Sequence, residues 1–96
     1  MREIELTHTF EKQYKKLKRS GSNMALLDYT VEVLMTENTP ELKRLWDHQL
    51  ESNQTAFREI HVSQRASNWV VKYQLQKDGT LLLLLQTGSH NKVMGI

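Results

Sequence analysis

The chain has 96 residues, no cysteine and a formal net charge of +2. That length leaves room for one core and one domain, residues 1–96, and the missing cysteines exclude disulfides, thiolate metal sites and a thiol nucleophile. The opening MREIELTHTF has no apolar segment of a secretory leader. The longest apolar run, Leu81–Leu85, is far short of the roughly 20 residues that span a bilayer. These features predict a soluble cytoplasmic protein.

Residues 2–7 alternate polar and apolar through Ile4 and Leu6, the period of a strand with one buried face. Thr9 is placed to cap a helix, and Glu11 suits its first turn. Phe10, Tyr14 and Leu17 then recur at helical spacing until Ser20-Gly21-Ser22 ends the pattern. A second helix begins near Ser22 or Asn23, carries Met24, Leu27, Val31 and Leu34 on one stripe, and ends around Glu37-Asn38. Thr39-Pro40-Glu41 predicts one or two further turns through Leu42 and Leu45, followed by an irregular stretch from Asp47 to Gln54. Strands are predicted at 56–62 and 68–74, the latter rich in Val, Trp and Tyr. Asp78-Gly79 is a hairpin signal, and TLLLLLQ reads as a strand buried on both faces. The tail from Gly88 to Ile96 has little apolar content. The expected fold is α+β: a four-stranded antiparallel sheet with an N-terminal helical hairpin packed on one face, in the order β-α-α-β-β-β.

Lys12, Lys15, Lys16 and Lys18 crowd the first helix, as either a solvated face or a phosphate-contacting one. His8 beside them reads as a surface residue. His48, His61 and His90 each lie at or near the end of a predicted strand or in a flanking loop, positions that a sheet can bring to one rim. Their gaps of 13 and 29 residues lack the close pairs of a zinc motif. Proton transfer is the other chemistry open to them, because imidazole gives and takes a proton near neutral pH. Arg58 is an odd number of residues from His61, so alternation puts it on the opposite face of a regular strand, where it is either structural or a supporting residue that reaches the substrate around the edge.

Four segments in order carry a resemblance: Asp47-His48-Gln49-Leu50, Phe57-Arg58-Glu59-Ile60-His61-Val62, Asn68-Trp69-Val70-Val71-Lys72-Tyr73 and Gln86-Thr87-Gly88-Ser89-His90. Together they resemble the YafQ branch of the RelE-like toxins of bacterial type II toxin–antitoxin pairs. That branch runs as DHxL, a glycine-containing spacer, R-[DE]-x-H-V, DW before an apolar strand ending in Tyr, and RTG[ST]H with a nearby Phe. The match covers residues 40–96; the first 40 agree only in layout.

The resemblance implies an endoribonuclease that needs neither metal nor cofactor and cuts mRNA in the ribosomal A site. It further implies silencing by a cognate antitoxin of the DinJ/RelB kind, and contact with operator DNA only through that complex. By the same resemblance His48, His61 and His90 are catalytic, with His90 the general acid or base and the other two holding the phosphate or sharing proton transfer. Trp69 would contact a base or pack in the core, and the four lysines would meet rRNA.

Departures from the pattern are specific. Asn68 replaces the aspartate before tryptophan and removes a base. Gln86 replaces the arginine before TG, and loss of a charge-stabilising donor typically costs about 10²–10³ in rate. Arg65, in a longer loop from Ser63 to Ser67, is a candidate replacement charge. Met94 stands for the C-terminal aromatic, and Ser52 and Ala56 for spacer glycines. These changes leave a second expectation beside the nuclease: a weakened or inactive toxin homologue that acts mainly as an antitoxin-binding co-repressor.

Overall fold

The leucine run 81–85 lies inside the sheet, flanked by the first strand on one side and a long hairpin partner on the other. The computed structural model describes residues 1–50, 56–90 and 93. In chain order these form β1 (Glu3–Leu6), α1 (His8–Arg19), α2 (Met24–Thr36), α3 (Thr39–Arg44), β2 (His48–Gln49), β3 (Arg58–His61), β4 (Trp69–Gln76) and β5 (Leu81–Ser89). The sheet order is β1-β5-β4-β3-β2.

The α+β class holds, but three details differ from expectation. The sheet has five strands, because His48-Gln49 pairs antiparallel with Arg58-Glu59 inside the stretch read as irregular. Residues 51–54 of that stretch lie outside the described residues. The sheet is mixed, because β1 runs parallel to β5; hairpin signals set the direction of neighbouring strands and say nothing of one reached through a helical crossover. Helices number three among the described residues, as the Thr39-Pro40 turn extends to six residues with Asn38 as its cap.

Nor does β1 have a buried face. It is an edge strand, and Ile4 and Leu6 remain 40% and 43% exposed. The N-cap of α1 is Thr7 rather than Thr9: its hydroxyl accepts from the Phe10 amide at 3.1 Å and donates to the Leu85 carbonyl at 2.8 Å. One side chain therefore starts the helix and ties it to β5. The core of Phe10, Leu27, Leu34, Ile60, Val71, Tyr73, Leu82 and Leu84 fills the space between helices and sheet.

Two features aim side chains at the rim. The β4–β5 register shifts between Lys72 and Tyr73, so that Lys72 faces Gln86 but Tyr73 faces Leu84. The extra residue in β5, Leu85, flips everything after it to the other side, as a bulge does. The second feature is the close of α3, where the amide of Asp47 donates to the Leu42 carbonyl (2.9 Å) and that of Trp46 to Lys43 (3.1 Å). This is a Schellman ending, with Trp46 left-handed at φ 54° in the position glycine normally takes.

Asp47 is then fixed from below. The Tyr73 hydroxyl donates to one carboxylate oxygen, and Arg58 Nη2 to the other at 2.9 Å, while Arg58 Nε donates to the Tyr73 oxygen at 3.1 Å. Burial first, and then the charge of Asp47, push the Tyr73 phenol well above its usual range, so it stays the donor. Arg58→Met strips a half-buried cation from this triad. It should lower stability by about 2 kcal/mol, below the 3–5 typical of a fully buried pair because Arg58 is a third exposed. Thermal unfolding should show a melting temperature lower by roughly 10 °C.

Candidate functional site

Strand alternation decides which side chains meet. Glu59 and His61 are two apart on β3 and share a face. His48 is the direct cross-strand partner of Glu59, so it joins them. His90 follows β5 immediately, and its amide donates to the Asn68 carbonyl at 2.7 Å, which brings its ring to the same rim. Three imidazoles thus surround one carboxylate. His48 Nε2 and His61 Nε2 each lie 3.4 Å from Glu59 Oε1, and His90 Nδ1 lies 2.8 Å from Oε2.

Glu59 is fully buried, while His90 is 42% exposed. Neither carboxylate oxygen, nor His61 Nε2, nor His90 Nδ1 has an aligned hydrogen bond among the described residues. Their near neighbours are one another. A buried carboxylate without such compensation costs several kcal/mol, and the groups on its face able to offset that cost are the three rings and Lys72, its cross-strand partner on β4. The far side of two rings is fixed: His48 Nδ1 lies 2.7 Å from the Trp46 carbonyl and His61 Nδ1 2.8 Å from that of Ser67. A carbonyl only accepts, so both Nδ1 atoms bear hydrogen and both Nε2 atoms are where a proton, or another cation, enters. His90 is turned the other way, with Nδ1 on the carboxylate and Nε2 across the ring from it.

The rings floor a cleft of about 590 Å³ whose lining includes Trp46, Arg65 and Asn68. The same donors fit a metal ion. The ligand atoms of His48, Glu59 and His61 all lie within 4.8 Å of one another, two nitrogens and one oxygen. Chain spacing did not reveal this set, because the third ligand is a carboxylate two residues from a histidine on a strand.

The model of the bacterial type II toxin–antitoxin system toxin YafQ matches residues 2–95. The chain belongs to the YafQ toxin family. It is 29% identical over 94 residues to the mRNA interferase toxin YafQ of Escherichia coli (strain B / BL21-DE3), covering 98% of this chain and 97% of that one. The E. coli DinJ–YafQ complex superimposes with a TM-score of 0.80 at 27% identity, over 99% of this chain and 100% of that one. A metal-bound toxin from Helicobacter pylori gives 0.81 at 32% identity, over 98% and 100%.

Within this YafQ-family fold the other residues singled out in the sequence divide by face. Asn68 lines the cleft and positions His90 through its backbone. Arg65 lies over the Trp46 ring at 4.9 Å. Gln86 is on the histidine side but two strands from Glu59, in the cross-strand row Glu59–Lys72–Gln86. Arg58 is on the opposite side, in the Asp47 triad. So is Trp69, whose neighbour Val70 is the partner of His61; its Nε1 donates to Thr87 at 3.0 Å and its ring packs against the core. Lys12, Lys15, Lys16 and Lys18 are exposed on α1, and none lines the histidine cleft. Lys16 borders a groove with Gly88 and Ser89, at the end of β5 that leads into His90. Met94 and Ser52 lie outside the described residues.

Three residues escaped the sequence reading. Glu59 was detectable, since the i, i+2 rule that separates Arg58 from His61 also joins Glu59 to it. Lys72, a buried cation directly across from both Glu59 and Gln86, depends on the bulge and has no local signal. Trp46 depends on the α3 ending. The ring assignments predict that ¹⁵N spectra of the neutral rings show His48 and His61 as Nδ1–H tautomers; an Nε2–H form of either would contradict this geometry.

Proposed function

We propose that this chain, as one toxin domain over residues 1–96, acts in the cytoplasm as an mRNA interferase that cleaves ribosome-bound message without a metal. The observation that carries this reading is the convergence of three imidazoles on one buried carboxylate at the floor of an open cleft. RNA brings its own nucleophile. The 2′-oxygen attacks phosphorus, the bond to the 5′-oxygen breaks, and a 2′,3′-cyclic phosphate and a 5′-hydroxyl result. One proton must leave the 2′-hydroxyl and one must reach the 5′-oxygen.

His90 is the exposed ring, with Nδ1 against Glu59 and Nε2 presented to substrate, the orientation a carboxylate gives a general acid or base in hydrolytic triads. Of the other two rings, His48 is the more exposed and exchanges the other proton at the cleft, while His61, with Nε2 enclosed against Glu59, braces the floor on which the phosphate rests. Glu59 is the counter-ion of whichever ring is charged, so the proton count of the cluster can change within an unchanged cavity. Arg65 supplies the cation at the cleft that Gln86 does not.

A cognate antitoxin of the kind seen in the DinJ–YafQ complex is the expected partner, with the ribosome and its message as target and operator DNA reached through the antitoxin complex. The second reading, an antitoxin-binding co-repressor with little cleavage, is favoured by Asn68 and Gln86. A metal ion, as in the H. pylori relative, would occupy the same Nε2 and carboxylate atoms that proton transfer uses.

Induced expression should arrest growth and cut translated mRNA, and co-expression of the antitoxin should relieve both. His90→Ala and Glu59→Gln should each lower cleavage by at least about 10²-fold with the fold retained. No arrest from the wild-type chain, with tight antitoxin binding, would decide for the co-repressor. Toxin stripped with EDTA, dialysed and assayed on ribosomes in Mg²⁺ buffer should cleave undiminished, and cleavage should fall when Zn²⁺ is added; a stripped toxin that is inactive until a transition metal is restored would overturn the metal-free mechanism.

A further inference from the structure

The cleft needs a surface for the nucleobase beside the scissile phosphate, and the aromatic expected there, Trp69, lies on the other side of the sheet. Trp46 is on the correct side. Its indole stacks on His48 at 4.4 Å between ring centroids and on His61 at 5.0 Å, with interplanar angles of 24° and 22°. Those two imidazoles are only 6.1 Å apart, too close to sit on opposite faces of the indole. They cover one face together. The other face carries the Arg65 guanidinium at 4.9 Å, on an exposed loop.

Trp46 remains 41% exposed despite these contacts. It also occupies the left-handed position that ends α3, where glycine is at ease and a large side chain is not. An indole held in an unfavourable backbone position, half exposed, against the histidines, is poorly accounted for by packing. The geometry points to a nucleobase subsite: an RNA base flanking the cleaved bond stacks on the outer face of Trp46, displacing Arg65, whose charge then meets the adjacent phosphate. The inference rests on the ribonuclease reading, and a stacking surface that uses only the π-face of a base is tolerant of sequence. Position and chemistry together make Trp46 the residue that sets how tightly the reacting nucleotide is held.

The test separates base from backbone. A 2′-O-methylated hexauridylate, which cannot be cleaved, and a fully abasic ribose-phosphate hexamer are titrated against the full chain. The wild type should bind the base-bearing hexamer tighter by about 5- to 150-fold, the range for one base on one aromatic side chain. Trp46→Gly, which suits the backbone and so should keep the fold, should erase most of that ratio and leave affinity for the abasic hexamer unchanged. Trp46→Tyr should restore part of it. Arg65→Ala should weaken both hexamers and flatten the salt dependence by about 0.7 in log–log slope, one phosphate contact on a single strand. An unchanged ratio in Trp46→Gly, or equal losses for both hexamers, overturns the subsite. If the wild type shows the ratio but cuts no translated mRNA, the subsite stands and the nuclease reading falls.

Discussion

A buried negative charge organises this molecule. Glu59 is fully enclosed, yet no backbone amide or hydroxyl is aligned on its carboxylate among the described residues. Burying an ionised group costs more than most other single features of a small domain. Three imidazoles from three separate stretches are drawn around it, and the buried Lys72 stands across from it on β4. The cluster thereby couples the sheet rim, the α3 ending and the last strand. Each imidazole is held at its opposite edge or in its backbone by a carbonyl: Trp46 for His48, Ser67 for His61 and Asn68 for the amide of His90.

The rest of the fold reads as support for that arrangement. Asp47 is pinned by Tyr73 and Arg58 on the helix side of the sheet, so the residue after it, His48, points to the other side. Leu85, inserted in β5, turns Gln86 and Gly88 toward the histidine face and Thr87 toward α1, where its amide donates to Gln13 at 2.7 Å. Charge around the Glu59 row also differs from the pattern of the family. The arginine of the RTG motif is Gln86, while a buried lysine, Lys72, stands directly opposite it.

Much of this was legible in the residues alone. The stripe through Met24, Leu27, Val31 and Leu34, the Asp78-Gly79 turn and the β-rich segments around Ile60 and Val71 each declare their element, because local periodicity and turn chemistry decide them. His61 and His90 could be assigned to one rim for the same reason, as each lies at the end of a recognisable strand, whereas no local pattern fixed His48, which lies in the stretch read as irregular. Non-local geometry was not legible. The direction of β1, the two-residue β2 and the register shift at Lys72 are settled by long-range pairing, which leaves no periodic trace. Trp69 takes the core-packing alternative of its two, and Trp46, for which no local pattern set a role, lies at the cleft. An apolar strand hides the first on the far face, and a helix ending with a tryptophan in glycine's usual position exposes the second.

The two borders of the sheet are unlike. On one side β2 is only two residues long, too brief to template another strand. On the other, β1 ends the sheet with four residues, Ile4 and Leu6 half bare, and no further strand covers it among the described residues. Its alternate positions are Glu3 and Glu5, both exposed. Two identical copies meeting there would set like charges against like, so the acids guard against self-association at the one border long enough to invite it.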